Sequence, residues 1–455
     1  MPIELLDSET TDQRLNQLTQ ALGSGMFVHV RSMLHDMAAS DIAFILESSP
    51  PRTRQVLWQL IDQQHTGEIL DELGEELKDT LITQMSPERV AKAAEGMDTD
   101  DLAYILRSLP DSVFNQVLQS MTAQDRARVE QALSYPEDTA GSIMNTDTVT
   151  VRPDVTIDVI LRYLRIRGEL PDATDTLYVV DKRDSLLGGV RITDLLTCDP
   201  NASVREIMND DLEGIPVGMD DGEVAQLFER HDWVSAPVVE EETNRLLGRI
   251  TIDDIVDVIR EDAEHSMMGM AGMDDDTDTF GPVVKSTLRR SLWLTINLFA
   301  ALLAASVSNM FENTLEQFAT IAILMTIVPS MGGVAGNQTL ALVIRGIALG
   351  QIGQSNSRWL IGKELAIGFL NGLLWSMLVF AAVWLWKGDI ALGGLIGGAM
   401  LINMTVAGLA GACIPLLLKK FNVDPALAGG MVLTTVTDVI GLFAFLGLAT
   451  LFLLH

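Results

Sequence analysis

Residues 287–455 are nearly free of charge, and this limits the chain more than any other feature. Five apolar runs fill the stretch, at about 292–311, 318–344, 360–386, 391–418 and 426–454. Each holds the roughly 20 apolar residues needed to cross the hydrocarbon of a bilayer. Five such runs are expected to be membrane spans rather than buried helices of a soluble core. In hydrocarbon every backbone polar group must be satisfied within the protein, so an all-α bundle follows. Charge divides the chain at the same place. Six acids and eight bases fall after residue 286, which leaves 56 of the 62 acids and 23 of the 31 bases, a net charge of −33, to the first 286 residues. So acidic a soluble part is unsuited to nucleic acid and attracts cations.

Positive residues beside the spans set the orientation. With the first part cytoplasmic, the inner side holds Lys285, Arg289, Arg290, Arg345, Arg358, Lys363, Lys419 and Lys420, and the outer side only Lys387. His455 is then expected outside. The opening "MPIELLDSETTDQRL" is acidic and polar, and no signal peptide is expected there. The two cysteines, Cys198 and Cys413, lie far apart and suggest a reducing compartment.

Polar residues inside the spans carry the functional expectation. "VPSMGGVAGNQT" (328–339) places Pro329, Gly332, Gly333, Gly336, Asn337 and Gln338 within an apolar run. Irregular backbone at membrane depth is tolerated where it lines a water-filled cavity, so an unwound, pore-lining segment is expected, with Asn337 and Gln338 offering amides. Small-residue helix packing is the alternative, and it needs only the glycines. Asp438 is the one ionisable group of the last span, preceded by Thr434, Thr435 and Thr437. A charge at mid-membrane costs about 2.5–3.5 kcal/mol, and no Lys or Arg stands at comparable depth, so a bound cation is the expected counter-charge. Glu364 is expected to pair with Lys363 or Arg358 at the interface or to serve the path, and Asn403 to make a helix–helix hydrogen bond. The five spans hold no histidine and one cysteine, which disfavours a zinc or copper site. Carboxylate, hydroxyl and amide oxygens suit magnesium or calcium, and magnesium keeps several waters. One acid per chain is sparse for a pore, and two copies about an axis would bring two Asp438 residues together.

The first 286 residues contain two repeats. "DIAFILESSP" (41–50) recurs as "DLAYILRSLP" (101–110) in a segment of short helices, which suggests a helical solenoid over 1–133. "SIMNTDTVTVRPDVTI" (142–157) is echoed by "EIMNDDLEGIPVGMDD" (206–221), and "LYVVDKRDSLLGGVRITDLL" (177–196) by "APVVEEETNRLLGRITIDDIV" (236–256). Each unit is expected to run helix, strand, helix, two strands, helix. This resembles a tandem pair of CBS modules, at 134–199 and 200–262. Such pairs often sense adenine nucleotides. The resemblance places Thr251 and Asp254 at phosphate and ribose positions of the second unit, while Arg191 takes the place of the hydroxyl in the first.

Acids cluster at "DTDDL" (98–102), "DDGE" (220–223), "TIDDIVDVIREDAEH" (251–265) and "DDDTD" (274–278). In the third, Asp254, Asp257, Glu261 and Glu264 fall on one helical face. The alternative is a solvated face. At about 6 Å in water each carboxylate pair repels by roughly 0.7 kcal/mol, and divalent cations would reverse the sign. Candidate regulatory ligands are Asp100, Asp101, Asp220, Asp221, Glu223, Asp253, Asp254, Asp257, Glu261 and Asp262.

Together with "YPEDTAGSIM" (135–144), "GGVAGNQT" (332–339), "DPALAGG" (424–430) and "TTVTDVIGL" (434–442), this order of parts resembles the MgtE family of magnesium channels over the whole chain. The resemblance implies a multidomain protein: a cytosolic all-α superhelical N domain, an α/β tandem CBS pair, a connecting helix over 263–286, and an all-α transmembrane domain of five helices over 287–455. It implies a homodimer in a bacterial inner membrane, whose pore passes Mg2+ at Asp438, Asn337, Gln338, Thr434 and Thr435. It also implies closure by Mg2+ held between the solenoid, the CBS pair and the connector, and it admits ATP as a further ligand. An Asn would be expected where Val334 stands in "GGVAGNQ", and Tyr104 supplies no carboxylate beside Asp100 and Asp101. Two other readings stay open: a proton- or sodium-coupled divalent-cation transporter, in which Asp438 carries the proton, and a membrane-anchored nucleotide sensor that moves nothing. No nucleophile–base constellation, catalytic metal motif or phosphate loop points to an enzyme.

Overall fold

A computed structural model describes residues 16–453, apart from 19, 63–64, 94–96, 98, 108, 110, 172, 274–277 and 354. Asp98, the larger part of "DDDTD" and His455 therefore lie outside the described residues. The chain forms two units: the first takes Met1–Arg260 with Asp278–Pro282, and the second Glu261–Thr277 with Val283–His455.

Short helices open the first unit: α1 (Phe27–His35), α2 (Ala39–Glu47), α3 (Pro51–Leu60), α4 (Thr66–Asp71), α5 (Glu75–Thr83), α6 (Pro87–Ala93), α7 (Thr99–Arg107), α8 (Asp111–Ser120) and α9 (Ala123–Leu133). Prolines delimit them. Pro51 starts α3 and Pro87 starts α6, at first-turn positions where a missing N–H costs nothing. The sixty-residue repeat is visible in what each copy buries. In α2 the buried residues are Ile42, Ala43, Ile45 and Leu46; in α7 they include Leu102, Ala103, Ile105 and Leu106. The aromatic between them differs in fate. Phe44 is exposed, whereas Tyr104 lies beneath the Lys78 ammonium, 5.2 Å from the ring centroid.

Arg54 of α3 is buried. It donates to the carbonyls of Leu46 and Glu47 in the last turn of α2, where helical carbonyls lack their full set of intrahelical partners. Its other face makes a two-pronged bond to Asp278, with 2.6 Å and 3.2 Å arms, while Glu76 accepts the Asp278 N–H at 2.6 Å. Breaking one side of such a buried pair strands a charge and costs about 3–5 kcal/mol. Asp278→Ala is therefore expected to lower the stability of the first unit by that order, and urea unfolding followed by tryptophan emission from Trp58 measures it. An unchanged midpoint would show that Arg54 does not depend on the carboxylate.

The CBS pair follows, with β1 (Thr150–Val151), α10 (Ile157–Arg167), β2 (Thr176–Val180), β3 (Leu186–Arg191), α11 (Ile192–Thr197), α12 (Val204–Ile207), β4 (Ile215–Pro216), α13 (Asp221–His231), β5 (Ser235–Val239), β6 (Leu246–Thr251) and α14 (Ile252–Met270). Two three-stranded sheets result, β1-β2-β3 and β4-β5-β6, each with a parallel and an antiparallel pair. Both carry a register shift at the same place, Val179/Val180 and Val238/Val239. The repeated "IMN" has a structural reason. Asn145, from the first unit's leading segment, bridges Arg249 on β6, and Asn209, from the second's, bridges Gly189 on β3. A Cβ on Gly248 would stand 2.7 Å from the Asn145 carbonyl, and one on Gly188 would stand 2.2 Å from that of Asn209. The leading helix expected of the first unit does not form. Residues 138–143 turn instead, with Asp138 at φ 57°, and the second unit keeps only the single turn α12.

The connector also differs from expectation. α14 runs unbroken from the second CBS unit to Met270, so 263–286 is no separate helix; its last residues already belong to the first span. The second unit then holds α15 (Val283–Met310), α16 (Glu312–Gln317), α17 (Ala319–Leu324), α18 (Ile327–Ala348), α19 (Ser357–Lys387), α20 (Ile390–Lys420) and α21 (Pro425–Leu453). Five helical stretches are long and apolar enough to cross a membrane, and they cover the five runs seen in the sequence. Small residues bring their backbones together. A Cβ on Gly368 of α19 would stand 2.8 Å from the Met404 carbonyl of α20, and one on Gly408 would stand 2.7 Å from that of Glu364.

Candidate ion path and acid cluster

The segment 328–339 is not unwound. α18 is helical throughout it, and the break lies earlier, at Met325–Thr326 between α17 and α18. Pro329 sits in the first turn of α18, where no intrahelical donor is needed. The glycines serve packing. Against α21, a Cβ on Gly336 would meet Leu433 at 3.0 Å, one on Gly333 would approach the Thr437 hydroxyl at 3.9 Å, and Leu340 stands 3.0 Å from the Cβ position of Gly429. Higher residue numbers on α18 meet lower ones on α21, so the two helices are antiparallel neighbours in fixed register.

That register sets Asn337 and Gln338 of α18 near the level of Thr434 and Thr435 of α21. With Gly336 opposite Leu433, Asn337 and Thr434 lie close in depth, and Asp438 lies about a turn farther along α21, near the level of Gly332 and Gly333. Val334, Asn337 and Gln338 share one exposed face of α18 at helical spacing. Thr434, Thr435 and Asp438 share one face of α21, with Thr434 exposed and Thr435 and Asp438 half-buried. The threonine hydroxyls donate to their own helix, to the carbonyls of Gly430, Met431 and Leu433. Their protons are thus engaged, and the oxygens left outward are acceptors. Amide, hydroxyl and carboxylate oxygens form a hard-donor band whose one acid is Asp438. Among the described residues no three His, Cys, Asp or Glu side chains gather closely enough to hold a metal ion. Such a band suits a cation that keeps its water shell better than one stripped of it.

Two further polar residues have local partners. Glu364 is buried, accepts from the Thr339 hydroxyl at 3.2 Å and lies 3.2 Å from the Lys363 ammonium. Asn403 donates to the Val328 carbonyl across helices at 2.8 Å, which is the expected helix–helix bond.

A second acidic place forms inside the first unit. Asp101, at the start of α7, is hydrogen-bonded to Asp71 at the end of α4. Burial, then the charge and hydrogen bond of Asp71, push its carboxyl up to about 9; Asp254 adds to the rise and Lys78 opposes it. Beside it, burial followed by the charges of Asp71 and Asp257 raises Glu72, and Arg260 moderates that rise. Acids of the solenoid thus lie within electrostatic reach of Asp254 and Asp257 on the last CBS helix. Asp100 is buried next to Asp101. The donor set is carboxylate, the hard oxygen type that suits a divalent cation such as magnesium or calcium. Sequence reasoning missed Asp71 and Glu72; the acid-rich "DELGEE" (71–76) was the available signal.

Other predicted ligands lie elsewhere or have local work. Asp220 caps α13 by accepting the Glu223 N–H, and Asp221 accepts the Gly222 N–H. Neither these two nor Glu223 is among the groups that perturb Asp101 or Glu72. Asp253 is exposed, as are Glu261 and Asp262 farther along α14. Thr251 and Asp254 bind one another: the Thr251 N–H and hydroxyl both donate to Asp254, at 2.9 and 2.8 Å, forming half of a capping box at the start of α14. Position 254 thus serves two expectations, and its observed contacts are the cap and the acid cluster.

A membrane unit of five long apolar helices, joined to an acid-rich unit that contains a CBS pair, is the architecture of a divalent-cation transporter. Comparison with known proteins agrees. The family model MgtE, described as a divalent cation transporter, matches residues 325–448; the MgtE intracellular N domain matches 37–138, and CBS domains match 140–201 and 204–261. The chain belongs to the MgtE family. It is 30% identical over 451 residues to "Magnesium transporter MgtE" of Bacillus subtilis, covering 99% of both chains. It is 30% identical over 442 residues to the protein of that name from Thermus thermophilus, covering 96% of this chain and 98% of the relative. Among solved structures, the cytosolic domain of the Mg2+ channel MgtE in complex with ATP is similar, with 31% identity, TM-score 0.49, and coverage of 54% of this chain and 99% of that one. The soluble part of a magnesium transporter is similar at 24% identity and TM-score 0.48, over 56% of this chain and 99% of that one.

Proposed function

We propose that the chain is a magnesium channel that takes up Mg2+ across a bacterial inner membrane and is closed by Mg2+ bound to its acid cluster. The observation that carries the transport reading is the hard-oxygen band on α18 and α21, with Asp438 as its one carboxylate. The names of the two relatives support magnesium as the cargo. In this reading two copies pair so that two such bands face one path. The excess of Lys and Arg on one side supports a cytoplasmic first unit and a periplasmic C-terminus in this reading. Closure draws its support from the meeting of Asp71 and Asp101 with Asp254. An adenine nucleotide at Thr251 and Asp254 is part of the proposal, and it has to displace the capping contact between them.

The test is current through the protein in planar bilayers at fixed pH, with Mg2+ titrated on the side of the first unit. Current that falls over the millimolar range supports a gated channel. Flux without current, dependent on a proton or sodium gradient, would replace it with a coupled transporter. No flux at all would leave a membrane-bound sensor.

Val334 bears on selectivity. It is 56% exposed and shares the α18 face of Asn337 and Gln338. Val334→Asn adds an amide to the band and is expected to favour Mg2+ over Ca2+ by several-fold, since one hydrogen bond is worth about 1 kcal/mol. Competition between the two ions measures it, and an unchanged profile would make the position one of packing alone.

A further inference from the structure

Asn403 of α20 is fully buried in a membrane span, a setting where an apolar side chain would fit at lower cost. Three helices meet at its amide. Its Nδ2 donates to the Val328 carbonyl, in the turn that starts α18 directly after the break. A Cβ on Gly332 of α18 would fall 2.1 Å from that nitrogen, and one on Gly441 of α21 would fall 2.8 Å from it. The same Cβ on Gly441 would stand 3.2 Å from the Pro329 Cα. Both glycines are therefore the room that the amide occupies. Gly441 lies three residues from Asp438 on α21, and Gly332 five residues from Asn337 on α18. The Asn403 Oδ1 is buried as well and accepts no hydrogen bond among the described residues.

From this juxtaposition we infer that Asn403 is a positioning residue for ion selection. It pins the start of α18 and sets the spacing of the two helices that carry the hard-oxygen band. A wedge between two helices that each leave it a glycine fixes distance, and its one directed hydrogen bond fixes rotation. Close packing transmits such a fixed distance along both helices, because interiors deform little. Distance between oxygens is what separates Mg2+, with its tight octahedral shell, from the larger and more adaptable Ca2+. A pure helix glue would need no glycine on both neighbours.

This inference rests on the reading of α18 and α21 as the ion path. The experiment uses the full-length protein in proteoliposomes and compares wild type, Asn403→Leu, Gly332→Ala and Asp438→Asn, at equal reconstituted protein. Mg2+ and Ca2+ uptake are measured separately. Asn403→Leu removes the bond at similar volume, and Gly332→Ala keeps the amide but pushes it aside. Both are expected to change the Mg2+-to-Ca2+ uptake ratio by about fivefold or more in the same direction. Proportional loss of both fluxes, with the ratio unchanged, would make Asn403 merely structural and overturn the inference. Should the leucine variant fail to fold, an unchanged ratio in Gly332→Ala overturns it alone. Wild-type uptake by Asp438→Asn would instead overturn the reading of the path itself.

Discussion

Asp438→Asn is expected to cut magnesium flux by about 100-fold or more while leaving the spans assembled. The carboxylate is the one acid on the α18–α21 band, and its neighbours Thr434 and Thr435 already give their protons to helix carbonyls. A unit charge near a cation at about 4 Å is worth roughly 4 kcal/mol at an effective dielectric of 20. Interposed water reduces this, and the remainder is still two orders of magnitude in occupancy. Asparagine keeps the shape and an oxygen, so only the charge is tested. The measurement is Mg2+ uptake into vesicles at matched protein amount, with size-exclusion elution as the check on assembly. Near-normal uptake would remove Asp438 from the path and leave the band with neutral oxygens only.

If internal Mg2+ closes a channel as proposed, replacing Asp71, Asp101, Asp254 and Asp257 together by Asn is expected to leave it open at Mg2+ concentrations that close the wild type. A millimolar site is worth only about −4 kcal/mol, so closure needs several such groups biasing an element with two arrangements. The variant removes both the repulsion and the ligands, and the sign of the result separates them. If ions hold the closed state, it stays open; if repulsion alone keeps the parts apart, it closes without magnesium. Current and protease cleavage within 263–286, from zero to about 20 mM Mg2+, read this out. Wild-type cleavage and current that ignore magnesium would reduce the acids to a solvated face.

The same cluster gives a pH dependence of fixed sign. Burial, then the neighbouring Asp71, push the Asp101 carboxyl from its ordinary value of 3.8 up to about 9 in the folded chain. Between these values the folded chain holds an extra proton, so stability is complete below about pH 4 and is lost as pH rises toward 9. On the proposed reading, a divalent cation takes the place of that proton. The magnesium midpoint for protection should therefore tighten between pH 7 and 9, by up to about tenfold per unit for one proton released.

Much of this was legible in the sequence because it is periodic or local. The sixty-residue repeat announced two helices burying equivalent residues, and the paired valines announced two strands that share even their register shift. Five apolar runs announced five spans by length alone. Asp438 stood out because a charge in hydrocarbon has few innocent explanations. What escaped reading depends on contacts between distant residues. Pro329 and its glycines looked like a broken segment, because the sequence does not show that Asn403 and Leu433 fill the space the glycines leave. Asp71 and Glu72 gave a run of acids but no sign that Asp101 would meet them. The connector reads as a separate helix in the sequence, since nothing in 262–270 marks where the preceding helix ends, and that helix runs on to Met270.

Arg54 and Asp278 stand 224 residues apart in the chain. Synthesis at about 5–20 residues per second separates their appearance by on the order of 10–45 s. For that time the solenoid holds a guanidinium without its carboxylate, although its apolar core is already complete in sequence. Asp278 emerges only five residues before Val283 begins the first span. Closure of the soluble unit and insertion of the membrane unit are thus timed to the same stretch of translation.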